Sequence, residues 1–145
     1  MKKVRLRWLI WVSGIALLMI AWTKGEIIEA GIAFSLGVSI GFFIDWLGMR
    51  KFRFWDYPRQ PFLGRRYFLI TLPDWGLIGM IINLLWNWVE TPWLAFPVVA
   101  IALFLTHDLP NLKTKSWNYY VPKWLAVLGW LLAILGFRVI FVAVS

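Results

Sequence analysis

The sequence predicts an all-α membrane protein, a single bundle of five transmembrane helices with its N-terminus in the cytoplasm and its C-terminus outside. Three observations predict it. The chain is 61% hydrophobic with a mean hydropathy of +0.73, five apolar stretches approach the roughly 17–20 residues needed to cross a bilayer core, and Lys and Arg alternate between the connections. A chain this apolar cannot cover itself with water-facing groups. No polar or low-complexity stretch marks a linker, so residues 1–145 read as one integral membrane domain.

The first span, about 6–23, follows Lys2, Lys3, Arg5 and Arg7; bulky Trp8, Trp11 and Trp22 and the lack of a small-x-small site make it a retained anchor. The second, about 27–49, carries Gly37-x-x-x-Gly41 with Ser35, Ser39 and Gly48, a pattern that lets another helix approach closely. The third, about 72–88, opens on Thr71-Leu-Pro-Asp74. Thr71 is expected to cap it, Pro73 to sit in its first turn, and Asp74 to take the acidic place of a capping box. The fourth, about 93–109, is the shortest and contains Pro97; the fifth runs from about 124 to 144.

Four cations precede the first span and only Lys24 follows it. The second connection holds Arg50, Lys51, Arg53, Arg59, Arg65 and Arg66, the third none, and the fourth Lys113, Lys115 and Lys123. Positive-inside bias therefore puts the N-terminus and the two basic connections in the cytoplasm. The net charge of +8 is thus an orientation signal, and nucleic acid is not expected as a partner. Most of the twelve Trp fall near predicted span ends, where amphipathic rings favour the headgroup level.

With no Cys, thiol chemistry and Cys-ligated metals are excluded, and a single His excludes bis-His haem. No Gly-x-Ser-x-Gly, His-Glu-x-x-His, phosphate-binding loop or dinucleotide fingerprint is present, so neither a metal nor a cofactor is expected. What remains is carboxylates. Of seven, Asp45, Asp56, Asp74 and Asp108 gather on the inner side beside His107. If the protein is an enzyme, Asp74, Asp45, His107 and Asp108 are its candidate catalytic residues. Asp45 and Asp108 each lie near a helix C-terminus, where negative charge is unfavourable, so each is expected to pair with a nearby Lys or Arg. On the outer side, Glu29 and Arg138 are expected to form an intramembrane ion pair, with Asn83 placed to join them. The chain also echoes itself: Asp45 and then Trp55-Asp-Tyr-Pro58 parallel His107-Asp108 and then Trp117-Asn-Tyr-Tyr-Val-Pro122.

Asp45, Trp55-Asp-Tyr57 and Leu72-Pro-Asp74 together resemble the small membrane lycopene cyclases over about residues 45–88. Those proteins combine a helix-ending Asp, a Trp-x-Tyr loop and a Pro-x-Glu-Glu helix start. The resemblance implies an isoprenoid-binding helical fold. Here Asp74 followed by Trp75 stands where those proteins carry paired acids.

The expected function is that of a non-catalytic accessory subunit or lipid-binding scaffold whose cytoplasmic face, with Trp55, Tyr57, Arg65, Arg66, Trp117 and Tyr119, engages membrane lipids, a membrane-protein partner or a second copy. The alternative is a membrane enzyme acting on an isoprenoid or phospholipid through a carboxylate acid/base site. A small transporter is a weaker alternative, since no carboxylate lies at mid-membrane. The expected location is a prokaryotic cell membrane.

Overall fold

A computed structural model describes residues 3–89, 91–115 and 117–144, and the side chains of these apart from residues 3–11, 13, 88, 92, 95, 106 and 107. The described chain is almost entirely helical: α1 (Lys3–Thr23), α2 (Ile27–Asp45), α3 (Leu72–Trp88), α4 (Pro92–Leu103), α5 (Leu109–Lys113) and α6 (Lys123–Val144). Three of its helical stretches, Ile27–Lys51, Tyr67–Asn87 and Lys123–Val144, are long and apolar enough to cross a membrane.

The α2–α3 pair forms the most extensive helix contact, and glycine explains why. A Cβ on Gly37 would run into the carbonyl of Trp75 and crowd Gly76 and Gly79, so the two backbones touch only because neither side carries a branch there. One turn on, Gly41 leaves the space occupied by the Trp75 ring. The main apolar core joins α2, α3, α4 and α6 through Ala33, Ile78, Ile82, Phe96, Trp130, Ile134 and Phe137. A smaller cluster of Ala21, Ala30 and Met80 seats α1 against α2 and α3.

Where the sequence suggests plain helix ends, three π-helical turns occur: Trp46–Lys51 continues α2, Tyr67–Thr71 leads into α3, and Phe104–Asp108 continues α4. The expected start of the third helix is corrected accordingly. Thr71 is already helical and caps nothing, because the chain enters α3 from the preceding turn; its hydroxyl donates to Gln60 Oε1 instead. The expected fourth span is an α-helix only to Leu103, and the π-turn carries it to Asp108.

A further element with no counterpart in the sequence reading is a two-stranded antiparallel sheet. Strand β1 (Trp55–Asp56) pairs with β2 (Asn118–Tyr119), Trp55 opposite Tyr119 and Asp56 opposite Asn118. The backbone N–H of Tyr120 extends the pairing to the Phe54 carbonyl at 2.8 Å. This small sheet ties the two basic connections to each other.

Candidate functional site: an aromatic cavity between two carboxylate latches

Asp45 is fully buried, with 0% exposure, at the junction of α2 and its π-turn. Its Oδ1 accepts from the Tyr57 hydroxyl at 2.8 Å and the Trp55 indole at 3.3 Å; its Oδ2 accepts from the Tyr67 hydroxyl at 2.9 Å and the Trp75 indole at 3.1 Å. Four neutral donors thus surround one carboxylate. Asp108, also at 0% exposure, is held in the same way: its Oδ2 accepts from the Tyr119 hydroxyl at 2.6 Å and the Trp130 indole at 2.8 Å.

The expectation of a Lys or Arg partner is therefore corrected for Asp45. The nearby cations Arg50, Lys51 and Arg53 are exposed, while phenol and indole donors are already inside and can be buried at far lower desolvation cost. Both carboxylate oxygens of Asp45 are engaged by these donors and buried. Asp108 is buried likewise.

Burial pushes the Tyr57 hydroxyl well above its ordinary value of 10, and the Asp45 charge adds to it; burial and then the Asp108 charge raise Tyr119 in the same sense. A folded-state value above the unfolded one means that these phenols favour the folded state in full below about pH 10 and lose that contribution as pH rises further. The melting temperature in detergent should therefore fall only above about pH 10, with tyrosinate absorbance appearing together with unfolding. Tyrosinate growing in at pH 10 while the fold persists would show the latches to be open.

The two latches resemble each other: in each, a buried Asp accepts from a Tyr of the following connection and from a Trp of the next long helix. Trp55-x-Tyr57 runs antiparallel to Trp117-x-Tyr119, the Tyr57 and Trp117 rings lie 4.8 Å apart, and the Trp75 and Trp130 rings lie 5.0 Å apart. Arg53 and Lys115, each two residues before its Trp, both adopt positive φ (54° and 51°), a conformation that disfavours a side chain by about 1 kcal/mol. The echo seen in the sequence thus extends to Trp75 of α3 and Trp130 of α6, which bond Asp45 and Asp108.

Between the latches lies a cavity of about 520 Å³, within the range of small-molecule sites. Its walls are Trp55, Tyr57, Trp75, Trp117, Tyr119 and Trp130, with Phe52 and Phe54 from the first connection and small residues of α6. Asp74 is its one acidic lining residue among the described residues, placed there by the first turn of α3.

Comparison with protein-family models, with curated proteins and with solved structures finds no match to this chain. The site therefore has to be read from its own geometry.

Of the residues expected to form the cytoplasmic aromatic and basic face, Trp55, Tyr57, Trp117 and Tyr119 line this cavity, Tyr57 and Trp117 being buried; Arg65 and Arg66 are exposed and do not line it. Asp74 reaches it. The His107 side chain lies outside the described residues. Tyr67, Trp75 and Trp130 escaped the sequence reading as site residues because aromatic residues near span ends are also what headgroup anchoring requires.

Glu29 and Arg138, expected to pair with each other, each bond an asparagine of α3. Arg138 donates to Asn83 Oδ1 at 3.3 Å and lies over the Trp86 ring, 4.3 Å from its centroid; Glu29 accepts from Asn87 at 3.3 Å. Asn83 and Asn87, one turn apart on α3, stand between the two charges.

Proposed function

We propose that this chain is a small multi-pass membrane protein that binds one apolar lipid of the isoprenoid class inside its aromatic cavity. The cavity carries the reading: its surface is almost wholly aromatic and aliphatic, and its size suits a segment of a hydrocarbon chain. The resemblance of residues 45–88 to small membrane lycopene cyclases supports the same ligand class. Five spans with the N-terminus in the cytoplasm complete the proposal, because the basic connections that flank the cavity then lie on the inner face of a prokaryotic cell membrane. In this reading the protein is a lipid-binding scaffold, and its aromatic residues act from within.

The test is occupancy. Gly129 lines the cavity, and a Cβ there would meet nothing within 4 Å, so Gly129→Leu is expected to fill the space while leaving the helix intact. Native mass spectrometry of the wild-type protein extracted from its own membrane should show one bound apolar lipid, lost in Gly129→Leu. Empty wild-type protein that no added isoprenoid stabilises would refute the proposal.

A second reading is favoured by Asp74 alone. A carboxyl group on an aromatic wall suits acid/base chemistry on a double bond or hydroxyl, the aromatic faces being suited to stabilise developing positive charge. A lipid product lost in Asp74→Asn membranes would support it.

A further inference from the structure

The cavity is closed toward the paired strands and open elsewhere. Trp55 and Tyr119 of the strands line it, and Tyr57 and Trp117, each next to a strand, are buried. Phe52, Phe54, Leu128 and Leu132 line it as well, yet each is exposed. Ile44 of α2 and Leu47 of its π-turn, both half-buried, continue the rim. The opening is therefore apolar and framed by α6, the end of α2 and the first connection. Its depth follows from the helices. Ile27–Lys51 and Lys123–Val144 are both long and apolar enough to cross a membrane. Leu128 and Leu132 lie about 8 and 14 Å along α6 from Lys123 at 1.5 Å per residue, which is hydrocarbon depth in a bilayer core roughly 30 Å thick. In the proposed topology the opening thus faces the inner leaflet.

Charge collects where this opening meets the membrane boundary. Lys51 ends the stretch Ile27–Lys51, Lys123 begins α6, and Arg53 stands between Phe52 and Phe54. All three are exposed, and Lys51 Nζ lies 5.6 Å from the centroid of the Phe52 ring, itself a cavity wall. None of the three is paired with a carboxylate among the described residues. Orientation in the membrane would be served by cations anywhere in the connections; these flank the walls of the cavity. Long cationic side chains at a span end carry their charge at headgroup level, and several cations with no acid matched to them favour an anion there.

Resting on the isoprenoid-binding reading, we propose that the ligand is an isoprenyl phosphate of the inner leaflet, its hydrocarbon entering sideways past Leu128 and Leu132 while its phosphate stays at headgroup level against Lys51, Arg53 and Lys123. Entry is tail-first. The phosphate never leaves water, so the large cost of burying its charge does not arise, and it makes no contact with the inner walls. Binding then combines an apolar cavity that selects the chain with a basic rim that selects its end.

The experiment compares geranylgeranyl monophosphate, geranylgeraniol and hexadecyl phosphate on the full-length protein in phosphatidylcholine nanodiscs. Binding is read by thermal shift and by competition. Charge-assisted contacts predict the isoprenyl phosphate to bind about ten- to a hundredfold tighter than the alcohol at low salt, with the margin shrinking as salt is raised. In the triple variant Lys51→Gln, Arg53→Gln, Lys123→Gln the phosphate should fall to the level of the alcohol, whose own binding stays as in wild type. An alcohol as tight as the phosphate in wild-type protein, or a phosphate preference that survives the triple variant, overturns the proposal; where Gly129→Leu still excludes the alcohol, the isoprenoid-binding reading stands. Leu128→Trp with Leu132→Trp should slow uptake of both isoprenoids, and unchanged uptake would overturn the sideways route. Hexadecyl phosphate binding as tightly as the isoprenyl phosphate would overturn the isoprenoid reading and this proposal with it. If no probe binds, both fall.

Discussion

Asp45→Ala is expected to destabilise the protein by about 3–5 kcal/mol and to prevent its accumulation in the membrane as a folded species. The substitution removes one acceptor and leaves the buried hydroxyls of Tyr57 and Tyr67 and the part-buried indoles of Trp55 and Trp75 around the gap. Each unsatisfied donor costs about 1–3 kcal/mol where water cannot reach it. Relaxation of the Tyr57 loop toward solvent recovers part of this, which sets the lower figure. The charge itself was expensive to bury, so a variant that keeps an acceptor without the charge should lose less. Asp45→Asn is therefore expected to fall between wild type and Asp45→Ala in detergent melts followed by Trp fluorescence. An Asp45→Ala protein melting within about 2 °C of wild type would mean that the four donors have other acceptors.

The second large effect is expected at Gly41. A leucine there would occupy the position of the Trp75 ring, so Trp75 must leave its place. It then loses its bond to Asp45 and its packing on Trp130 together. Overpacking of a core costs about 1–3 kcal/mol when neighbours can give, and here the neighbour is a latch and a cavity wall at once. Gly41→Leu should therefore lower stability by about 3 kcal/mol or more and abolish isoprenoid binding. Gly129→Ala is the control, since its Cβ meets nothing within 4 Å; it is expected to be neutral or stabilising by up to about 1 kcal/mol. Equal melting temperatures for Gly41→Leu and Gly129→Ala would refute the packing described for α2 and α3.

The helices could be read from the chain because their cause is local. Apolar runs bounded by charges select helix in a membrane, and the close approach at Gly37 and Gly41 follows from the absence of side chains. The echo between Asp45-Trp55-Tyr57 and Asp108-Trp117-Tyr119 was also visible. What could not be read was the partner of each carboxylate. Asp45 has Arg50, Lys51 and Arg53 close in sequence, yet its donors include Tyr67 and Trp75, which only the fold brings near. The Trp residues were ambiguous for the same reason: Trp46, at 41% exposure, lies on the surface, whereas Trp117, at 7%, lies inside. Hydropathy alone treats the two alike. The cavity itself arises from Ala126, Gly129 and Ala133 facing Asp74, a juxtaposition that depends on how α6 meets α3.

The distribution of the two latches along the chain also sets an order of assembly. Every donor to Asp45 lies between Trp55 and Trp75, so this latch can close once the chain as far as α3 has been made. Asp108 waits for Tyr119 and Trp130, and β1 has no partner strand until residues 118–119 have left the ribosome. A nascent chain stopped before α6 would hold one finished half and an open aromatic trough. The compartment comes into being only when α6 brings Trp130 and the Ala126–Gly129–Ala133 wall against the first half.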